Sequence, residues 1–452
     1  MKIIVAGCGK IGTTVTASLV AEGHDVTVLD SDAAVISDIT NVYDVMGICG
    51  NAADCDTLSE ADVESAELFV AVTGSDELNM LSCFMAKRMG ASHTIARIRN
   101  PEYNDRSLNF MRRQLDISMA INPELLAAEE LYNILKFPSA AKIETFSRRN
   151  FEMVELKLRS DTMLDGMKVM EMRERFPGKY LVCTVEREGN VYIPDGMFVL
   201  HGGDQIGLTA TPSEIQKLLK SMGALQRHAK SVMILGGSKT AFYLAKMLEN
   251  AGTDVKIIER SETACKNLRD YLTKTVIING DGAQQEVLFE EGIRSVDAFV
   301  SLTGMDEENI LISFFASSIN VPKVIAKVNR DELSAMAHKL GLDCIVSPKK
   351  IISDILVRYA RALQNSLGSN VETLYNLMDG AAEALEFNVH PSSEVIGVPL
   401  KELKIKKNIL IAGILRDRTP IIPAGDDCIL EGDTVVVIAA NHKLSDLSDI
   451  LL

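Results

Sequence analysis

Short apolar runs alternate with amphipathic stretches through the first third of the chain, and the alternation predicts strand and helix in turn. Residues 3–6 are too few for a helix and suit a buried strand; Gly7, Gly9 and Gly12 follow at G-x-G-x-x-G spacing. Apolar Ile11, Val15, Leu19 and Val20 then recur at helical spacing, Gly23 ends that helix, and residues 26–29 form a second buried strand closing on Asp30. Further strands are predicted around 45–48, 68–72, 94–98 and 117–121, with helices over 33–41, up to Lys87 and over 124–136. Six strands alternating with helices imply a doubly wound parallel sheet, with its ligand crevice beyond the carboxyl ends of the strands. From about residue 150 the pattern changes. Residues 152–158, 180–185 and 205–209 alternate like strands between turn glycines and Pro194, which predicts a small α+β module.

The whole pattern then returns. The run 231–236 repeats the opening strand and Gly7, Glu259 stands where Asp30 does, and Gly432-Asp433 repeats Gly203-Asp204, each 229 residues on. Thr73-Gly74, Asp76 and Asn79 recur as Thr303-Gly304, Asp306 and Asn309; Arg187, Pro194 and Gly196 recur as Arg416, Pro423 and Gly425. The chain is read as a tandem duplication of an α/β unit, a Rossmann-like domain followed by a small α+β module, over 1–137, 138–222, 229–365 and 366–452.

The glycine pattern has a chemical reading. Gly7 permits a sharp turn, Gly9 carries no side chain to hold a diphosphate off the backbone, and Gly12 lets helix and strand approach. The helix start offers unpaired N–H groups and a positive dipole end. Asp30 can accept from ribose hydroxyls and would repel a 2′-phosphate, favouring NAD-type or adenosine ligands. Cys8, Lys10, Ile11, Ser31, Asn51, Ala52, Thr73, Gly74, Asp76, Asn79, Arg97 and Arg99 complete the expected first site. Arg97 and Arg99, two apart at a strand end, can face one way and pair with phosphate oxygens; surface pairing with carboxylates is the competing reading.

Composition narrows the classes. Lys and Arg total 47 against 62 Asp and Glu, a net charge of −15, which opposes non-specific binding to nucleic acid or to an anionic membrane. No apolar run approaches the roughly 18 residues of a membrane helix, and Lys2 leads straight into a strand without a secretory signal, so a cytoplasmic protein without direct membrane insertion is expected. The eight cysteines form no C-x-x-C pair and read as buried reduced thiols; the seven dispersed histidines give no metal site.

With the repeat in view, the chain resembles the TrkA-type regulatory proteins of bacterial potassium uptake, built from two RCK (regulating conductance of K+) units. The resemblance rests on the glycine loop with Asp30, the A-V-T-G-S-D-E-L-N run at 71–79, the A-R-I-R-N-P-E-Y run at 96–103, and the I-P-D-G and G-G-D turns. It implies no enzyme but a cytoplasmic, peripheral regulatory subunit, self-associated into a dimeric or tetrameric ring beneath a TrkH- or KtrB-type membrane subunit that translocates potassium. ATP, ADP, NAD+ or NADH in the crevice would alter the ring. Expected second-half counterparts are Gly236, Gly237, Ser238, Lys239, Glu259, Arg260, Gly280, Asp281, Thr303, Gly304 and Lys327. The family's acid after the third strand is Asn51 in the first half and Asp281 in the second. Ser238 and Ala241 replace Gly9 and Gly12, and Ser238 is expected to crowd a diphosphate. Arg97 and Arg99 become Lys327 and Asn329. The second crevice thus has three open readings: a different nucleotide, weak binding, or a structural role. The small modules could also hold a second effector, though no residues demonstrate it.

The helices after Asn122-Pro123 and Ser347-Pro348 carry apolar stripes (Leu125, Ala128, Leu131, Leu135; Ile351, Ile355, Leu356, Tyr359). Packing on their own sheet and crossing to a neighbouring domain, as the resemblance implies, are both open. An NAD-dependent oxidoreductase is the rival function; it needs a proton donor or acceptor beside the nicotinamide, and His201, in a turn-like context, reads as solvated. A scaffold whose nucleotides only hold the fold is the third.

Overall fold

A computed structural model describes residues 1–452 apart from 102, 104, 138–141, 147–150, 159–161, 224–228, 343, 366–370, 392, 418, 443 and 445. The predicted unit boundaries at 138 and 366 lie outside the described residues.

The first parallel sheet contains β1 (Lys2–Ala6), β2 (Asp25–Asp30), β3 (Met46–Cys49), β4 (Leu68–Ala71), β5 (His93–Arg97) and β6 (Met119–Ile121), in the order β3-β2-β1-β4-β5-β6. Every predicted strand of this sheet is present to within two residues. Strand order reverses between β1 and β4, so the loops after these strands splay apart and open a crevice. Helix starts around it are fixed locally. Asp32 accepts from the Ala34 amide at 2.9 Å, Ser75 from Leu78 at 3.2 Å and Asn122 from Leu125 at 3.0 Å. Helices Cys55–Glu60 and Asp105–Gln114 had not been predicted. The first is short, and the second carries its apolar residues on a mostly polar stretch.

The following five strands, β7 (Lys142–Phe146), β8 (Phe151–Lys157), β9 (Tyr180–Arg187), β10 (Asn190–Tyr192) and β11 (Gln205–Ala210), form a sheet ordered β10-β9-β11-β8-β7, antiparallel throughout. The second half repeats both sheets. Strands β12 (Ser231–Leu235), β13 (Asp254–Glu259), β14 (Val276–Asn279), β15 (Ala298–Ser301), β16 (Lys323–Lys327) and β17 (Ile345–Val346) take the order β14-β13-β12-β15-β16-β17. Strands β18 (Val371–Leu377), β19 (Ala382–Asn388), β20 (Ile409–Arg416), β21 (Thr419–Ile421) and β22 (Thr434–Ala440) form the last sheet, ordered β18-β19-β22-β20-β21.

The two halves exchange a helix. In helix Pro123–Lys136, Ala127, Ala128, Leu131, Ile134 and Leu135 are buried with Val232, Ile234, Leu244 and Leu248 of the second parallel-sheet unit. Helix Pro348–Asn365 returns the arrangement: Ile352, Leu356, Val357 and Ala360 are buried with Ile3, Val5, Val15 and Leu19 of the first. Crossing is therefore the arrangement adopted. Polar contacts fix its register: Asn122 Nδ2 donates to the Tyr243 hydroxyl at 3.0 Å, the Ser353 and Ser18 hydroxyls meet at 2.6 Å, and Arg361 joins Glu22 to Glu383.

The small modules also face one another. Phe146, Phe151, Met153 and Cys183 share a buried cluster with Tyr375, Leu377, Ala384, Ala412 and Val436. A Cβ on Gly413 would lie 2.6 Å from the Phe151 ring, and Thr209 Oγ1 donates across to the Ala412 carbonyl at 3.1 Å. Small residues are needed where one sheet's rings press on the other's backbone.

The repeated G-G-D turn has a structural cause. Arg187 donates through Nε and Nη2 to the two carboxylate oxygens of Asp204 at 2.8 and 2.7 Å and reaches the Val199 carbonyl at 2.8 Å; Arg416 does the same with Asp433 and Cys428. Burial would raise the Asp204 carboxyl, but Arg187 and the His201 amide outweigh it and hold it below its ordinary value. A depressed carboxyl stabilises the fold above the unfolded pKa and loses that contribution as pH falls through the folded value. Stability from this pair is therefore expected to fade below about pH 4. Arg187→Met, which leaves the buried Asp204 carboxylate without its cation and with the His201 amide, is expected to cost about 2 kcal/mol in urea unfolding at pH 7, below the roughly 3–5 kcal/mol of a fully buried pair because the guanidinium is partly exposed. A midpoint unchanged from the parent chain would exclude this role.

Cys8, Cys83, Cys183, Cys265 and Cys344 are buried free thiols, as expected, and burial followed by Asp30 pushes Cys8 up to about 12. Cys49 and Cys55 depart from that expectation: both are exposed, one at the end of edge strand β3 and the other at the start of helix Cys55–Glu60.

Candidate functional site

The crevice after β1 is a cleft of about 1230 Å³. Gly7, with φ +96°, makes the turn; its missing Cβ would fall 2.7 Å from the Thr73 amide nitrogen. A Cβ on Gly12 would fall 1.8 Å from the Gly7 carbonyl, so both glycines are required by close backbone approach. Gly9 differs: its Cβ would meet nothing within 4 Å, and no side chain caps the helix Lys10–Ala21 that follows it. The space above Gly9 is the open cleft. Asp30 is held in place by two amides, Cys8 at 2.6 Å and Asp32 at 3.0 Å.

Of the first-half residues expected here, Gly7, Gly9, Lys10, Ile11, Asp30, Ser31, Asn51, Ala52, Thr73, Gly74, Arg97 and Arg99 line the cleft. Cys8, Gly12, Asp76 and Asn79 do not. Cys8 and Gly12 lie beneath the loop. Asn79, fully buried, accepts from the Thr73 amide at 2.8 Å and donates to the Arg97 carbonyl at 2.9 Å, stitching the ends of β4 and β5 together. Asp76 accepts from the Arg99 and Asn100 amides at 2.9 and 2.8 Å. These two hold the wall in shape from behind, and Asn309 and Asp306 repeat both roles in the second half.

The arginines are not equivalent. Arg97 is 8% exposed, donates to the Thr73 carbonyl, and has a buried Nε without a hydrogen-bond partner. Burial and then Arg99 lower its pKa, while Glu124 and Asp76 oppose that. Arg99 donates to the Gly74 carbonyl at 2.8 Å and lies 4.0 Å from Glu124 with a third of its side chain exposed. A carboxylate oxygen of Glu124 is likewise buried and unpartnered. Unused polar capacity in a cleft wall is what a polar ligand satisfies.

The second half forms the opposite wall. Ser238, Lys239, Thr240, Lys327, Asn329, Pro348 and Lys349 line the same cleft. Because the helices cross, four helix starts converge there, at Lys10, Lys239, Pro123 and Pro348, and the cations Lys10, Arg97, Arg99, Lys239, Lys327 and Lys349 face the carboxylates Asp30 and Glu124. Burial lowers the Lys327 pKa, against the pull of Asp306 and Glu124. Converging dipole ends and excess cations favour an anion. Glu124, Pro123, Thr240, Pro348 and Lys349 were missed as site residues; a crossing helix brings them in, and no local motif marks that.

The remaining second-half residues line a separate pocket of about 360 Å³: Gly236, Gly237, Ser238, Glu259, Arg260, Gly280, Asp281, Thr303 and Gly304, with Leu235, Ile258, Leu302, Met305 and Glu308. Lys239 and Lys327, expected with them, belong to the larger cleft. Ser238 caps its own helix, accepting from the Ala241 amide at 3.3 Å, so it consumes a helix-start donor as well as filling space. Glu259 accepts from the Gly237 and Ser261 amides, each at 2.6 Å. Asp281 and Asn51 play one part in both halves, accepting from Ala283 and Ala53 at 3.1 and 3.0 Å. His201 stands 3.4 Å from Asp165 in the first small module.

This architecture can be set against known proteins. The TrkA-N domain pattern matches residues 3–123 and 232–348, and the TrkA-C domain pattern matches 153–223 and 384–452. The chain belongs to the TrkA family. The Trk system potassium uptake protein TrkA of Haemophilus influenzae is 32% identical over 451 residues, covering 98% of this chain and 96% of that protein. The TrkA homolog of Archaeoglobus fulgidus is 32% identical over the full length of both. Among solved structures, the GsuK RCK domain superposes with a TM-score of 0.64 at 18% identity, covering 97% of this TrkA-family chain and 92% of its own. The GsuK channel bound to NAD gives 0.63 at 17%, covering 97% and 77%. The family patterns establish two tandem TrkA-N and TrkA-C units, and the solved structures share their fold. Among the described residues no helix is long and apolar enough to cross a membrane.

Proposed function

We propose that this chain is a nucleotide-binding regulatory subunit of a potassium uptake system, acting on a membrane subunit of the TrkH or KtrB type from a ring of RCK units. One observation carries the reading: the cleft at the first glycine loop is built by both halves, with six cations against two carboxylates. An adenine nucleotide or NAD(H) held there would touch Asp30 with a ribose, the amides at the start of helix Lys10–Ala21 with its phosphates and the second half with whatever extends beyond. Ligands of different length would then pull the halves together to different degrees. A difference of roughly 1–3 kcal/mol between two conformations shifts their ratio 5- to 150-fold, enough for a switch.

Regulation suits the cleft better than oxidoreduction. Its lining offers lysines and arginines, Asp30 engaged with two backbone amides and Glu124 set beside Arg99, and His201 is paired with Asp165 outside that lining. The test is calorimetric titration with ATP, ADP, NAD+ and NADH, alongside potassium flux through a co-reconstituted membrane subunit. The expected result is saturable binding without cofactor turnover and ligand-dependent flux. Binding without any change in flux would leave the nucleotide a purely structural part.

Arg99, the more exposed of the pair, is the candidate for the terminal phosphate. Arg99→Ala is expected to weaken ATP about tenfold more than ADP, the loss of one charge-assisted contact. Arg97→Ala should weaken both alike, because it releases the Thr73 carbonyl. Equal losses for both ligands in Arg99→Ala would remove it from phosphate recognition.

A further inference from the structure

Two crossing helices join the halves, and the histidines are distributed unequally between the crossings. Of the seven histidines, His24 and His93 are the two that fall within residues 1–137, and both stand beside the contact of helix Pro348–Asn365 with the first parallel-sheet unit. His93 opens β5 and sets its ring edge-to-face with Tyr359 of that helix, the centroids 6.3 Å apart. His24 follows the end of helix Lys10–Ala21, is 7% exposed, and has a buried Nε2 without a hydrogen-bond partner among the described residues. Two residues before it, Glu22 is paired with Arg361 of the crossing helix, and Arg361 also reaches Glu383 of the second small module at 3.4 Å. At the other crossing Ala251, Thr253 and Lys323 occupy the positions of Glu22, His24 and His93. The repeat has therefore kept both crossings and given imidazoles to one.

Both rings favour the neutral form. Burial lowers the His24 pKa first, the Met1 ammonium and Arg361 add to that, and Glu22 and Glu67 oppose it. Those carboxylates are already engaged: Glu22 by Arg361, and Glu67 by the Lys2 amide at 2.9 Å and the Met1 ammonium at 4.0 Å. Burial and then Lys87 lower the His93 pKa, and on its far side Tyr359 is bonded to Ser118 with Arg112 as the nearby charge. An imidazolium at His93 meets Lys87; one at His24 meets two cations and draws Glu22 away from Arg361. The separated form takes a proton that the joined form refuses. The contact is accordingly firm above about pH 6.5, the ordinary histidine value, and weakens as pH falls below it.

We propose that helix Pro348–Asn365 is held to the first unit by a proton-sensitive joint at His24 and His93, and that acid loosens this joint together with the wall the helix gives to the cleft. Pro348 and Lys349, at the start of the helix, line that cleft, and roughly 20 Å of continuous helix connects them to Arg361. The joint itself is independent of what the cleft binds; its effect on a nucleotide rests on the reading given above.

Hydrogen exchange of the full, ligand-free chain at pH 7.5 and 5.5, expressed as protection relative to the unfolded-chain rate at each pH, reads the joint. Protection over residues 351–361 is expected to fall about tenfold in acid, the equivalent of one pKa unit. Helix Pro123–Lys136 is expected to hold, because Glu152 beside Lys136 is raised by burial and so favours that crossing as pH falls. In a chain carrying His24→Gln and His93→Gln the loss should shrink to about twofold or less. A loss shared equally by both helices, or one that survives both substitutions, overturns the proposal. The comparison of the two helices within the parent chain decides it alone should the double variant fail to fold. ATP titration of both chains at the two pH values reads the cleft: the parent is expected to lose about threefold more affinity in acid than the variant, with phosphate protonation cancelling between them. Equal losses overturn the link to the cleft, whereas no ATP binding at either pH removes the regulatory reading and leaves the exchange result standing.

Discussion

Gly7→Ala is expected to lose about 3 kcal/mol of stability, and nucleotide binding with it, whereas Gly9→Ser keeps its stability and loses binding alone. At Gly7 two costs add. A side chain at φ +96° is strained by about 1–3 kcal/mol, and the new methyl would sit 2.7–2.9 Å from backbone atoms of Val72 and Thr73 that no rotamer can move. Forced repacking adds about 1–3 kcal/mol. The second half offers a natural comparison, because Gly236 has slightly more room at 3.0 Å and its unit accommodates Ala241 where Gly12 stands. Gly9, by contrast, has φ −66° and open space beyond its Cα. A serine there is a good helix cap and would fold back as Ser238 does, leaving stability within about 0.5 kcal/mol. It would take an amide from the ligand's phosphates, and ATP affinity is expected to fall about tenfold. Urea unfolding and calorimetry on the two variants separate these outcomes. A Gly7→Ala chain that unfolds at the parent midpoint would contradict the loop geometry, and Gly9→Ser with full ATP affinity would move the phosphates elsewhere.

The crossing helices give the second large effect, and its location matters more than its size. Leu131 lies in the first half of the sequence but is fully buried in the core of the second parallel-sheet unit; Leu356 is fully buried in that of the first. Truncating either to alanine removes transfer energy and leaves a cavity, about 2–5 kcal/mol for a buried leucine. Amide hydrogen exchange should show the damage displaced: Leu131→Ala releases the amides of β12, and Leu356→Ala those of β1. Loss confined to the unit preceding each helix in sequence would mean that the helices do not cross. The same contacts tie the cleft walls together, since Asn122 and the Arg99 carbonyl both bond Tyr243 of the second half, at 3.0 and 3.3 Å. A ligand that moves one wall therefore moves the helix that covers the other.

Much of the fold was legible in the chain. The strand–glycine–helix opening, the alternation of six strands with helices, the change to alternating strands near residue 150 and the duplication are all local or periodic features, and local sterics decide them. Gly7 and Gly12 are required because backbone meets backbone, and Asp30 lies one helix beyond the loop because the second strand of a βαβ unit ends beside the first. Short pieces such as β7, β10 and helix Cys55–Glu60 escaped because a few residues carry too little periodicity to distinguish strand, helix and turn. Asn79 and Asp76 were placed in the site although they support it from behind. Their spacing shows that they are near the loop but not which way the side chains turn.

What the sequence by itself determined is the repeated unit, its glycine loop and the chemical types available to a nucleotide. Only the tertiary structure decided which sheet each apolar helix covers, which gave Lys239, Lys327 and Lys349 to the cleft of the opposite half, and left the second loop with a small pocket lined by acids. The reason is physical: an amphipathic helix buries its stripe on either sheet at similar gain, so the choice depends on contacts far apart in sequence that no local pattern records.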